Sequence, residues 1–352
     1  MTINELANSI IRYQQYCSMI DPVRYASTGI HQDAMSDLYG MDPNMFTMTP
    51  AQRAQSIITK SNAMDVLVRL LAGEPVDDAK MIDAFGVSYH ALEQRMEELN
   101  PLKAPIPDKT VILTFDDAKK DAYTHVAPLL KELGFNATFF VTEMEASNKT
   151  AGFADKDVFM SWDEIRSLYD QNFEIGNHSL HHRRPSNPLD VQDFSSELTG
   201  LNEHMEKAGI PRAVSVAYPF GMSTVEQTEV AEACGFSWGR GNVDAGICGC
   251  RGKSVYDPLS DHPLAIPSYG DAPLYTFERL TERLAAAKGG KILCLAFHSV
   301  LDPDEWTNTI SFETYFRFLK DQGANCIAMC DLEKYIDPAK ALARTRWNCN
   351  TI

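Results

Sequence analysis

Beyond residue 105 the sequence predicts an α/β fold, a parallel sheet or (β/α) barrel, with a helical region over residues 1 to 105 in front of it. Two observations carry this. From residue 111 onward, apolar strand-like runs alternate with segments of helical periodicity, the pattern of parallel strands connected by helices over the outside. Several of those runs also stop abruptly in adjacent polar residues, as strands do at the carboxyl end of a parallel barrel. A chain of 352 residues can hold one large domain or two of ordinary size, and two are expected here, 1–105 and 106–352.

In the N-terminal region, Thr49-Pro50 reads as a helix start near Ala51, because Pro at the first helical position loses no hydrogen bond. Apolar residues from Ala63 to Leu71 fall at helical spacing before a Gly73-Glu74-Pro75 stop. Two helical stretches flanking the Phe85-Gly86-Val87-Ser88 turn resemble a helix-turn-helix module. Its second helix carries Glu93, Glu97 and Glu98 against Arg95, which repels phosphate, so helical packing or self-association is expected in place of DNA contact. Pro101, Pro105 and Pro107 resist both helix and ladder and mark the boundary.

After it, strands are expected at 111–115, 137–142, 173–176 and 213–218, and helices at 121–133, 162–170, about 190–208 and 224–234. Gly239 to Pro273 is rich in Gly, Pro and Asp and reads as long loops with short strands over the barrel mouth. Helix 276–287, strand 291–297, helix 311–321 and strand 326–329 complete the alternation, and 338–352 reads as a surface tail.

The charge balance, 32 basic against 48 acidic residues for a net −16, argues against nucleic acid or an anionic membrane as partner. A neutral or cationic substrate fits better. The N-terminus has no basic and apolar leader, and no run approaches the roughly 18 apolar residues of a membrane span, so a cytoplasmic protein is expected. The eight Cys form no C-x-x-C pair and read as reduced thiols, with Cys248-Gly-Cys250 as a tight loop.

Chemistry concentrates at three strand tips. Val111 to Phe115 ends in Asp116-Asp117, Phe173 to Gly176 ends in Asn177-His178-Ser179-Leu180-His181-His182, and Lys291 to Phe297 ends in His298-Ser299. One carboxylate and two imidazoles suit a divalent transition metal with open positions. His178 and His182 would share a face if a helical turn followed the strand, and His181 competes at a spacing of three. Adjacent Asp116 and Asp117 point to opposite sides of an extended strand, so one can bind metal while the other serves as base.

Thr114-Phe115-Asp116-Asp117, His178-Ser179-Leu180-His181-His182, Tyr218-Pro219-Phe220-Gly221 and Leu293-Cys294-Leu295-Ala296-Phe297-His298, in that order, resemble the motifs of the polysaccharide deacetylases, the NodB-homology or carbohydrate esterase 4 family. The likeness spans roughly 108 to 337. It implies a distorted (β/α) barrel of about seven strands and metal-assisted hydrolysis of N-acetyl groups on amino sugars. By that likeness Asp117, His178 and His182 hold the metal, Asp116 is the general base and His298 the general acid. The backbone N–H of Phe220 then meets the oxyanion. Two departures stand out. Ala217 sits where the family often has an Arg that pairs with the catalytic Asp, and Arg240 is the candidate replacement. The Asp that tunes the acid His has no clear match, Asp271 being the candidate.

These readings lead to an expected amide hydrolase with a divalent metal, foremost Zn²⁺, although other first-row ions also suit the shell. The expected substrate is an N-acetylated carbohydrate. The rivals are a deacylase of a small cytosolic amide and an inactive sugar-binding barrel. Apolar faces of the N-terminal helices must be buried, on the barrel or in a homo-oligomer contact.

Overall fold

The computed structural model describes Gln94 and residues 97–350, apart from 146–151, 184–190, 222, 243–253, 271–274 and 307–309. The expected helices before residue 94, the Phe85–Ser88 turn, Cys248, Cys250 and Asp271 lie outside the described residues. The chain divides into two compact units, Leu102–Ala339 and a second made of Met1–Pro101 with Lys340–Ile352. Among the described residues no helix is long and apolar enough to cross a membrane.

Strands and helices alternate through the first of these units: β1 Thr110–Phe115, α1 Ala127–Leu133, β2 Thr138–Val141, α2 Trp162–Asp170, β3 Glu174–Asn177, α3 Val191–Lys207 and β4 Ser215–Ala217. They continue as α4 Val225–Ala233, β5 Trp238–Asn242, β6 Ile266–Ser268, α5 Phe277–Ala286, β7 Leu293–Phe297, α6 Phe312–Asp321 and β8 Asn325–Ile327. The expected helix at 121–133 opens as a π-helical turn, Ala122–Val126, before settling into α1. The expected tail is a helix instead, α7 Pro338–Asn350. Pro338 suits a first helical position, and the Ala-Lys-Ala-Leu-Ala-Arg run after it favours helix once begun.

The sheet runs β6-β5-β4-β3-β2-β1-β7 with every pair parallel. Its ends meet just past β6, where the Tyr269 N–H donates to the Cys294 carbonyl at 3.1 Å and the Ala296 N–H donates to the Tyr269 carbonyl at 3.0 Å. Seven strands therefore form a nearly closed barrel. The distortion comes from β1, whose first half (Thr110–Ile112) pairs with β8 while Thr114 and Phe115 pair with β2.

Period-two alternation sorts each strand between two cores. Phe115, Phe139 and Phe297 point to the helices, Phe115 stacking on the other two at 5.3–5.4 Å, with Phe316 of α6 against Phe115 and Phe297 at 5.3–5.9 Å. Such pairs add about 0.5–1.5 kcal/mol each beyond burial. The opposite faces fill the barrel. Near its floor the Glu174 carboxylate accepts from Thr138 Oγ1 and Ser215 Oγ, both at 2.6 Å, and from the Cys330 N–H at 2.8 Å. Burial pushes the Glu174 carboxyl pKa up despite these donors. One layer higher, a Cβ on Gly176 would lie 2.4 Å from the Phe140 ring and 2.9 Å from Ser215 Oγ, so only glycine fits. The next layer up carries the polar groups.

Candidate active site

β1 keeps its ladder one residue past its end, where the Asp116 N–H donates to the Phe297 carbonyl at 2.8 Å. The chain then enters the left-handed region at Asp117 (φ 66°) and Ala118 (φ 51°). That conformation costs about 1–2 kcal/mol per non-glycine residue. It also corrects the expectation that the two aspartates diverge. With alternation broken, both carboxylates reach one imidazole: His178 Nε2 lies 3.9 Å from Asp116 Oδ2 and 3.7 Å from Asp117 Oδ1.

The loop after β3 is not a helical turn either. Asn177 Oδ1 accepts the Ser179 N–H, and Ser179 Oγ accepts the His182 N–H, with left-handed φ at Ser179 (61°) and His182 (51°). This irregular path separates the competing histidines. His182 Nε2 comes to 3.6 Å from Asp117 Oδ1, whereas His181 turns to α3, its Nδ1 2.7 Å from Glu197 Oε1. His178 Nδ1 sits 2.7 Å from the Ala217 carbonyl, which only accepts, so the proton is on Nδ1 and the Nε2 lone pair faces Asp117. Burial pushes the His178 pKa down to about 4, outweighing the nearby carboxylates, and keeps the ring neutral.

One donor atom from each of Asp117, His178 and His182 lies within 4.8 Å of the others. Asp117 Oδ1 is buried and has no hydrogen-bond partner among the described residues. An orphaned carboxylate oxygen facing two imidazole nitrogens is a donor set that fits a divalent cation.

Arg240 lies in the middle of β5, not on a strand tip or loop, and its neighbour across the ladder is Ala217. Its Nη2 donates to Asp116 Oδ2 at 2.5 Å and its Nη1 to Ser268 Oγ at 3.3 Å, with the guanidinium 5.3 Å from the Phe140 ring centroid. Burial opposes ionisation of Asp116, but Arg240 foremost, with His178 and His298, outweighs it and holds the carboxyl below its ordinary pKa. His298 Nε2 lies 3.9 Å from Asp116 Oδ2, and its side chain is 39% exposed, open to the mouth. Phe220 occupies a left-handed turn (φ 59°) beside the cluster, its exposed ring 4.8 Å from that of His182. Every described candidate thus gathers at one end of the barrel.

Residues 103–239 match the family model described as polysaccharide deacetylase. Over that stretch, less than half of the chain, the protein is similar to that family. A putative polysaccharide deacetylase of Bacillus subtilis is 24% identical over 132 residues, 38% of this chain and 44% of that protein. Poly-beta-1,6-N-acetyl-D-glucosamine N-deacetylase of Staphylococcus aureus is 23% identical over 145 residues, 39% of this chain and 49% of that protein. The chain thus spans about half the length of the curated relatives it matches. Among solved structures, a CE4 family pseudoenzyme from Bacillus anthracis aligns at TM-score 0.43 and 21% identity, covering 67% of this chain and 70% of that one. A Streptococcus pyogenes deacetylase in complex with acetate aligns at 0.39 and 19%, covering 55% and 77%.

The matched stretch stops one residue before Arg240, so Arg240, Ser268 and His298 come from barrel beyond it. Motif reading missed Ser268, which accepts from Arg240 and donates to the Gly241 carbonyl at 2.6 Å. It missed the Ala217 carbonyl as well, since a backbone acceptor leaves no mark in residue identity. The register of β4 to β6 was the signal that could have found both.

Proposed function

We propose that the protein is a metal-dependent deacetylase that hydrolyses the N-acetyl group of an N-acetylated sugar or oligosaccharide. The observation that carries this reading is the buried, unpartnered Asp117 Oδ1 facing His178 and His182, next to a second carboxylate and a third, half-exposed imidazole. The relatives named for N-acetyl-D-glucosamine polymers support the substrate class. The chemistry is assigned to the unit Leu102–Ala339 and none of it to the other.

Asp117, His178 and His182 would hold the metal. Zn²⁺ suits the set best, and other first-row ions are accepted. Once bound, it supplies Lewis-acid activation of water and of the amide carbonyl. Asp116, ionised and oriented by Arg240, takes the proton from the attacking water. The Phe220 N–H is a fixed donor for the oxyanion. His298, on the open side of Asp116, gives a proton to the departing amine.

The test is mass spectrometry of N-acetylated oligosaccharides and small acetamides incubated with metal-replete protein. Loss of acetyl from the sugars is expected. Turnover of small amides alone would replace the substrate class, and sugar binding without turnover would replace the enzyme with a binding barrel.

A further inference from the structure

The carboxylate of Asp121 lies outside every motif discussed above. It precedes the π-helical turn after β1 and is 8% exposed. Its Oδ2 accepts three hydrogen bonds from the segment that follows His298: Ser299 Oγ at 2.5 Å, the Val300 N–H at 2.7 Å and the Leu301 N–H at 2.9 Å. Ser299 Oγ in turn accepts the Asp302 N–H at 2.9 Å. A second carboxylate, Glu305, accepts the Ser299 N–H at 2.6 Å and pairs with Lys119 Nζ at 2.8 Å. The segment carrying Asp116 and Asp117 is therefore tied to the segment carrying His298 through two carboxylate links, one buried at Asp121 and one half-buried at Glu305, with Asp121 taking most of the donors.

His298 needs such a tie. Among the described residues its ring has one polar neighbour, Asp116, and that lies 3.9 Å away. With no described side chain hydrogen-bonded to the imidazole, the backbone beneath it carries much of its aim.

We propose that Asp121 is a positioning residue that holds His298 at its working distance from Asp116 by clamping the loop after β7. This rests on the deacetylase reading for its kinetic consequence and on geometry alone for its structural one. In the step concerned, the amide C–N bond breaks, the electron pair passes to nitrogen, and the proton on His298 joins it. A displaced His298 slows that step for an amine leaving group, which must be protonated to depart. An activated phenolate leaves without a proton and does not register the loss.

The experiment compares Asp121→Asn, a near-isostere that cannot serve three donors with a charged oxygen, with the parent on an N-acetylated sugar and on p-nitrophenyl acetate. Expected are a fall in kcat on the sugar of more than about tenfold, KM within about twofold, unchanged metal content, and aryl acetate hydrolysis within about twofold. Ser299→Ala removes one of the three contacts, should produce a smaller loss of the same kind, and serves if Asp121→Asn does not fold. Equal losses on both substrates would mean general damage to the site and would overturn the positioning role. A crystal structure of whichever variant folds decides independently of turnover: His298 should leave its parent position, and an unmoved ring refutes the proposal. If the parent hydrolyses neither substrate, the deacetylase reading fails, while the crystallographic comparison still decides the clamp.

Discussion

Arg240 reaches across the barrel from the middle of β5 to the end of β1, where its Nη2 meets Asp116 Oδ2 at 2.5 Å, although 124 positions separate the two in sequence. Ala217 is its partner on the neighbouring strand, at the position where the motif resemblance leads an Arg to be expected. The guanidinium thus enters the mouth one strand over. Arg240→Ala should lower kcat by more than about tenfold, or roughly 1.4 kcal/mol on the barrier, without loss of metal. Lys at that position should rescue in part, because an ammonium cannot contact Asp116 and Ser268 with a planar fork. Parent-level turnover in the Ala variant would leave Asp116 in no need of the guanidinium.

Metal content separates the histidines. His178→Ala and His182→Ala should each lose most of the bound metal, while His181→Ala, whose ring is spent on Glu197, should keep a full equivalent. Elemental analysis of the purified variants reads this directly. Full metal in His178→Ala would disprove the ligand set.

The two aspartates should separate in the same way. Asp116→Asn removes a base and should retain metal while losing most turnover, and Asp117→Asn should weaken both. His298→Ala should behave like Asp116→Asn. Equal metal loss in all three would redistribute the roles.

Glu174 gives a stability prediction. Its folded pKa is raised by burial, so its contribution is fully present below its unfolded pKa and is lost as pH rises through the folded value. Glu174→Gln cannot ionise. As pH rises above the ordinary carboxylate range, the difference in Tm should therefore move in favour of the variant. A difference independent of pH would show that the floor carboxyl does not carry the titration.

The floor also offers a packing test. Gly176→Ala places a methyl against the Phe140 ring and Ser215 Oγ inside a filled barrel, and should cost about 1–3 kcal/mol in denaturant unfolding. No loss of stability would mean that this layer is less tightly filled than its distances indicate.

The sequence by itself determined the alternation of strands and helices and which strand tips are polar, because burial periodicity and helix caps are local properties. Helix 162–170 needed only Ser161 and Glu164, which cap each other. β5 fell within a stretch read as long loops with short strands because Gly239 and Gly241 have little strand propensity. The fold requires the first all the same, since a Cβ on Gly239 would stand 2.5 Å from the Leu264 carbonyl oxygen. Spacing left His181 and His182 open and the motif likeness preferred His182; only the tertiary structure shows how the two rings part, through a left-handed loop and a glutamate on α3. It alone brought both aspartates to one imidazole and aimed Arg240 at Asp116. The reason is physical: a residue's type is carried in the chain, but which side chains share a low-dielectric mouth depends on strand register and on a few backbone dihedrals. Those are set by contacts far apart in sequence.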